Sequence, residues 1–67
     1  MYENPFNQIL TGLQIKDWIW YNTHHKTNYT AIAKTMGSLF NLDNNKYYKL
    51  TLDNNVPIIE VSEKGNL

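Results

Sequence analysis

A stripe of apolar side chains between residues 29 and 40 constrains the fold of this chain more than any other feature. Its members recur at i, i+3, i+4, i+7, i+10 and i+11, and they are Tyr29, Ile32, Ala33, Met36, Leu39 and Phe40. This spacing places them on one face of an α-helix. We expect that helix to start near Tyr29 or Thr30 and to end in the Asn- and Asp-rich residues 41–45, which favour turns.

A second helix is predicted on the N-terminal side of the first. Thr11 and Gln14 have the Thr-x-x-Gln spacing of a capping box, which marks a helix start. The core-facing side of this helix would consist of Ile15, Trp18, Ile19 and Asn22. Trp20 falls on the opposite side. Ahead of it, Asn4–Pro5 favours a short helical turn, whose apolar side would be Phe6, Ile9 and Leu10.

Residues 46–61 change to the alternation that is typical of a β-hairpin. Lys46–Leu52 has the composition of a strand, and Val56–Val61 is the predicted returning strand. Asp53–Asn55 predicts a compact turn, because asparagine tolerates a positive φ at low cost. Pro57 lacks an N–H group and therefore places the second strand at a sheet edge. Tyr48, Leu50 and Leu52 share one face of the first strand, and Ile59 and Val61 share one face of the second. A lone hairpin is marginal in water, so we expect it to pack on the helices.

These elements predict one small α+β domain of two to three helices followed by a C-terminal β-hairpin. We divide it into an N-terminal segment at 1–12, a helical part at 13–45, a hairpin at 46–62 and a tail at 63–67. A chain of 67 residues buries only about 60% of its unfolded surface, so its stability is marginal. It contains no cysteine, which excludes disulfides. We therefore expect it to associate with a partner or with itself as a homodimer.

Composition and charge narrow the classes of function. No run of 18 apolar residues and no signal peptide is present, so the expected location is the cytoplasm. The net charge is zero, but residues 16–49 carry five lysines against two aspartates. The whole chain lacks arginine, the residue that most often reads bases in DNA. The small size and composition are our reason for expecting a protein of phage or mobile-element kind.

The spacing of Ala33 and Gly37 resembles the first half of the motif found in helix-turn-helix and winged-helix DNA-binding proteins. That motif has a small residue inside its first helix and a glycine four residues later at the turn, and the resemblance covers roughly residues 13–40. It implies a dimeric transcription regulator that acts by occupying a site on double-stranded DNA. The uninterrupted stripe through Gly37 favours the alternative, which is one continuous helix.

If DNA is the target, the contacts would come from polar side chains in and after the second long helix. Lysines would bind phosphates, and asparagines could pair with adenine. The candidates are Lys34, Thr35, Ser38, Asn41, Asn44, Asn45, Lys46 and Lys49.

A second hypothesis is a small inhibitor or adaptor that binds a host enzyme or a defence complex. Trp20, Tyr21 and His24 are its candidate interface residues, and the edge strand Val56–Val61 is an alternative docking surface. Neutral charge and the lack of arginine favour this hypothesis.

Catalysis has little support in the sequence. The chain has no glycine-rich phosphate loop and no Gly-x-Ser-x-Gly motif, so we expect no enzyme activity and no cofactor. His24 and His25 are adjacent and would point about 100° apart on a helix, so we expect no metal site.

Overall fold

Five elements follow one another along residues 4–63, the part of the chain that the computed structural model describes. They are β1 (Gln8–Thr11), α1 (Gly12–His24), α2 (Thr30–Leu39), β2 (Tyr47–Asp53) and β3 (Val56–Ser62). This order confirms an α+β fold with two helices followed by a C-terminal hairpin. Of the predicted tail at 63–67, only Glu63 lies within the described residues.

The predicted N-terminal helical turn is wrong, because this segment forms the strand β1. Ile9 pairs with Lys49 and Leu10 with Tyr48 in an antiparallel ladder with β2. Asn7, directly before β1, has a φ of 65°, which a right-handed helix does not allow. The sequence pattern at 4–10 was short, and the hydrogen bonds to β2 together with the burial of Leu10 outweigh it.

Helix α1 begins with the predicted capping box. Thr11 Oγ1 accepts the backbone N–H of Gln14 at 3.2 Å, and Gln14 Oε1 accepts the N–H of Thr11 at 2.9 Å. Ile15, Trp18 and Asn22 are buried, as expected from their spacing. The two reciprocal bonds satisfy backbone donors that would otherwise be unpaired at the helix start.

Helix α2 is continuous through Gly37, which answers the question that the sequence left open. A β-carbon at Gly37 would lie 3.5 Å from Ile19 Cγ2, so the glycine faces α1 at ordinary contact distance. Met36 and Ala33 are buried, but the expected burial of Leu39 is wrong, since 64% of this residue is exposed. Leu39 is the last residue of the helix and lies at the margin of the apolar stripe.

The connection between α2 and β2 is not helical, and tertiary contacts hold it in place. Leu42 is buried, and the N–H of Asp43 donates to Tyr48 Oη at 2.9 Å. The N–H of Asn45 donates to Asp43 Oδ1 at 2.9 Å, which closes a local turn. Within residues 4–63, no helix follows Leu39.

The sheet has the order β1-β2-β3, with both neighbouring pairs antiparallel. Its inner face carries Leu10, Tyr48 and Leu50 into the core, which is completed mainly by the helices. Trp18 is at the centre, with its ring 5.8 Å from Phe6 and 5.5 Å from Tyr29 between centroids. The opposite face of the sheet is open, as is common in antiparallel sheets.

The hairpin has the predicted turn and the predicted edge position. Asn54 and Asn55 have φ values of 50° and 66°, the left-handed pair that a two-residue hairpin turn requires. Pro57 faces Leu52 on the outer strand β3. Neither helix of the described residues is long and apolar enough to cross a membrane.

Candidate functional site

The outer face of α1 exposes large aromatic side chains. Trp20 is 57% exposed and Tyr21 is 37% exposed, whereas Trp18, two residues earlier, is 0% exposed. This contrast follows from helical geometry, since a step of two residues rotates a side chain by about 200°. Trp20 therefore lies on the side of α1 that faces away from the core.

Two histidines stack on these rings one helical turn later. The rings of Trp20 and His24 lie 4.4 Å apart between centroids at an angle of 21°, and those of Tyr21 and His25 lie 4.4 Å apart at 29°. Both pairs have the i, i+4 spacing that brings side chains together on a helix. We call these four residues, Trp20, Tyr21, His24 and His25, the α1 aromatic patch.

Hydrogen bonds hold part of the patch in a fixed orientation. His24 Nδ1 lies 2.8 Å from the Trp20 carbonyl oxygen and 3.2 Å from Thr23 Oγ1. The imidazole is thus held by its stacking contact and by its ring nitrogen. A side chain that is already ordered loses less conformational entropy when it binds a partner.

The end of α1 beneath the patch is anchored by a buried asparagine. Asn22 is 4% exposed, its Nδ2 donates to the Trp18 carbonyl oxygen at 2.8 Å, and its Oδ1 accepts from Thr27 Oγ1 at 2.6 Å. Thr30 Oγ1 in turn accepts the N–H of Thr27. The Thr30 hydroxyl donates to the carbonyl oxygens of His25 and Thr27, in the connection between the two helices. This network connects the last turn of α1 to the first turn of α2.

All three interface residues predicted from the sequence, Trp20, Tyr21 and His24, are exposed on this helix. His25 was not among the predicted interface residues. Its four-residue spacing from Tyr21 was the signal that could have identified it. The polar residues Lys16 and Asp17 are exposed one turn earlier on the helix, and Lys16 Nζ donates to Asn44 Oδ1 at 2.9 Å.

The eight candidate DNA-contacting residues are all exposed, but they lie on three parts of the molecule. Lys34, Thr35 and Ser38 are on α2. The connection that follows α2 carries Asn41, Asn44, Asn45 and Lys46. Lys49 lies on the open face of the sheet, because it pairs with Ile9 and Glu60. The helix that would gather such residues in a major groove is not formed within residues 4–63.

Residues 4–63 contain no group of three or more His, Asp or Glu side chains that could hold a metal ion. An open groove of about 760 Å³ runs beside β1, and Lys49 is the only charged residue among those that line it.

No protein-family model, no curated protein and no solved structure matches this chain.

Proposed function

We propose that this chain is a small, non-enzymatic binding protein that docks on a protein partner through the α1 aromatic patch. One observation carries the proposal, which is the exposure of Trp20 in a stacked arrangement on the solvent face of α1. A tryptophan of this kind exposes a large apolar area to water, and that area is released from water when a partner covers it.

The composition of the patch indicates the kind of surface it would bind. Tryptophan and tyrosine are enriched among the residues that dominate interface energetics. None of the four patch residues is acidic or a lysine. Lys16 and Asp17 lie beside the patch and carry one charge of each sign. The complementary partner surface is an apolar pocket with a polar rim. A host enzyme or a defence complex is the class of partner that we propose.

The test is affinity capture from host lysate with immobilised wild-type protein, followed by calorimetry with the captured partner. Trp20→Ala should lose the partner, with a cost of about 2 kcal/mol or more in binding free energy. The matched control is Leu39→Ala, which removes another exposed apolar side chain from the other helix. Capture of the same protein at equal affinity by a folded Trp20→Ala variant would refute the role of the patch.

Binding to DNA is a second candidate, which the exposure of all eight predicted contact residues favours. The excess of lysine between residues 16 and 49 would supply a non-specific attraction to phosphates. Contact would use the α2 face and the connection after it, since no further helix follows within the described residues.

This candidate is tested by the fluorescence anisotropy of labelled random duplex DNA at about 50 and 200 mM salt, a range over which phosphate contacts weaken strongly. Lys34→Ala and Lys46→Ala should each weaken binding and flatten its salt dependence. If wild-type protein does not bind at either salt concentration, the DNA candidate is eliminated and the protein-partner proposal stands alone.

A further inference from the structure

The outer backbone edge of β3 from Pro57 to Val61 is a second surface of the described residues that could bind a partner. Gly12 N–H donates to the carbonyl of Lys46, the residue directly before β2. By alternation, Tyr48 and Leu50 of β2 bond to β1, and the β2 residues between and after them bond to β3. The pair Asp53↔Val56 closes the two-residue turn as a hydrogen-bonded pair. By alternation, the backbone groups of Pro57, Ile59 and Val61 point away from β2.

The opposite edge of the sheet, on β1, has fewer backbone groups that could pair with a further strand. Only Ile9 and Thr11 of this four-residue strand point their backbone groups outward, by the same alternation. The N–H of Thr11 already donates to Gln14 Oε1 in the capping box. The β3 edge is therefore the longer of the two and the one more open to a further strand.

Exposed apolar side chains accompany the β3 edge. Val61 is 68% exposed on the inner face of the sheet, and Val56 and Ile58 are exposed on the open face. An edge strand with apolar side chains is a template for pairing with another chain. Pro57 is buried and protects this edge only in part, since it removes one N–H donor but keeps its carbonyl acceptor.

We propose that β3 pairs antiparallel with β3 of a second copy of this chain, around a two-fold axis at Ile59, to form a six-stranded sheet. In this register the two Ile59 residues exchange both hydrogen bonds, and each Val61 N–H donates to the carbonyl of the partner's Pro57. The exposed Val61 side chain would lie beside the partner's Pro57 on the inner face. The register uses every outward donor on the edge from Pro57 to Val61, and the missing N–H of Pro57 costs one bond on each side.

The neighbouring registers are weaker. An axis at Glu60 would place the two Glu60 carboxylates directly opposite each other, which is destabilising. An axis at Ile58 would bring Val61 opposite Asn55, which lies in the turn and has a φ of 66°. The Ile59 register avoids both problems.

Charge favours a second copy as the occupant of this edge. The chain has a net charge of zero, so two copies do not repel each other at long range. Glu60, the acidic residue on β3, faces Lys49 across the β2–β3 ladder of its own chain, which offsets its charge at the edge. In the Ile59 register, Glu60 meets the uncharged Ile58 of the partner subunit.

This pairing is separate from the proposed function of the α1 aromatic patch. Helix α1 packs on α2 and β1, and α2 is the helix that packs on β3. A β3-paired dimer would carry two copies of the patch, one on each subunit. Two linked patches would raise the effective affinity for a partner with repeated sites.

The experiment is sedimentation velocity of the full chain from micromolar to millimolar concentration, with Val61→Pro as the test variant and Val61→Thr as its control. Proline deletes the outward N–H without removing a bond to β2, as Pro57 does in the native strand. Threonine keeps the N–H and a similar shape. Wild type and Val61→Thr should shift from the 7.9 kDa monomer towards twice that mass. Val61→Pro should raise the dissociation constant about tenfold or more.

Two results would overturn the pairing. The first is a wild-type protein that stays monomeric throughout, and the second is a folded Val61→Pro variant that dimerises as well as wild type. If Val61→Pro does not fold, amide hydrogen exchange of the wild type decides. Exchange at Ile59 and Val61 should slow as concentration rises, and equal rates in dilute and concentrated samples would refute the pairing. Trp20→Ala should dimerise normally, which separates this test from that of the patch.

Discussion

Gly12 lies so close to Asp43 that a β-carbon at position 12 would overlap the Asp43 carbonyl oxygen. The N–H of Gly12 also donates to the Lys46 carbonyl at 2.9 Å. This contact joins the start of α1 to the turn that leads into β2, two segments more than 30 residues apart in sequence. Only a residue without a side chain permits this approach of two backbones.

Gly12→Ala should therefore destabilise the protein, by about 1–3 kcal/mol, because the methyl group must displace backbone rather than a flexible side chain. Gly37→Ala is the matched control. Its methyl group would meet Ile19 at an ordinary distance, and alanine stabilises a helix interior by up to about 1 kcal/mol relative to glycine. Urea denaturation of both variants measures the difference, and equal midpoints would contradict the close contact at Gly12.

Asn22→Ala should cost about 1–3 kcal/mol in the free energy of unfolding, because it removes the close acceptor of the Thr27 hydroxyl and the buried donor to the Trp18 carbonyl. The control is Asn28→Ala, since Asn28 is exposed and such substitutions usually change stability by less than about 0.5 kcal/mol. Thermal unfolding followed by circular dichroism compares the two. If Asn28→Ala loses as much stability as Asn22→Ala, the result would argue against the buried network.

The two tryptophans should differ in their accessibility to a quencher. In Trp20→Phe the remaining Trp18 is buried, so its fluorescence should be blue-shifted and weakly quenched by acrylamide. In Trp18→Phe the remaining Trp20 should emit at longer wavelength and be strongly quenched. Trp18 Nε1 donates to no acceptor within residues 4–63, so phenylalanine loses no hydrogen bond there. Similar quenching in both folded variants would contradict the exposure of Trp20.

Asn55→Ala should destabilise the hairpin by about 1 kcal/mol, because alanine adopts a left-handed conformation at a higher cost than asparagine. Asn55→Gly provides the control and should leave stability unchanged or slightly raised, since glycine has no such penalty. Urea denaturation again gives the comparison. A stable Asn55→Ala variant together with a destabilised Asn55→Gly variant would mean that the turn does not have this conformation.

The candidate site could be predicted in part. The exposure of Trp20 and the burial of Trp18 follow from the helical period alone, and the structure has both as expected. The separation of Lys34, on α2, from Lys49, on the open sheet face, could not be predicted. It depends on the strand register, which brings together residues that are far apart in the chain.

The sequence by itself determined every element that has a strong local signal. The capping box at Thr11, the apolar stripe of α2 and the paired asparagines of the hairpin turn each act through neighbours within a few residues. Only the tertiary structure decided that residues 8–11 form a strand and that α2 ends at Leu39 rather than in residues 41–45. Those outcomes depend on bonds to distant partners, from β1 to β2 and from Asp43 to Tyr48 Oη, and local propensity carries no information about such partners.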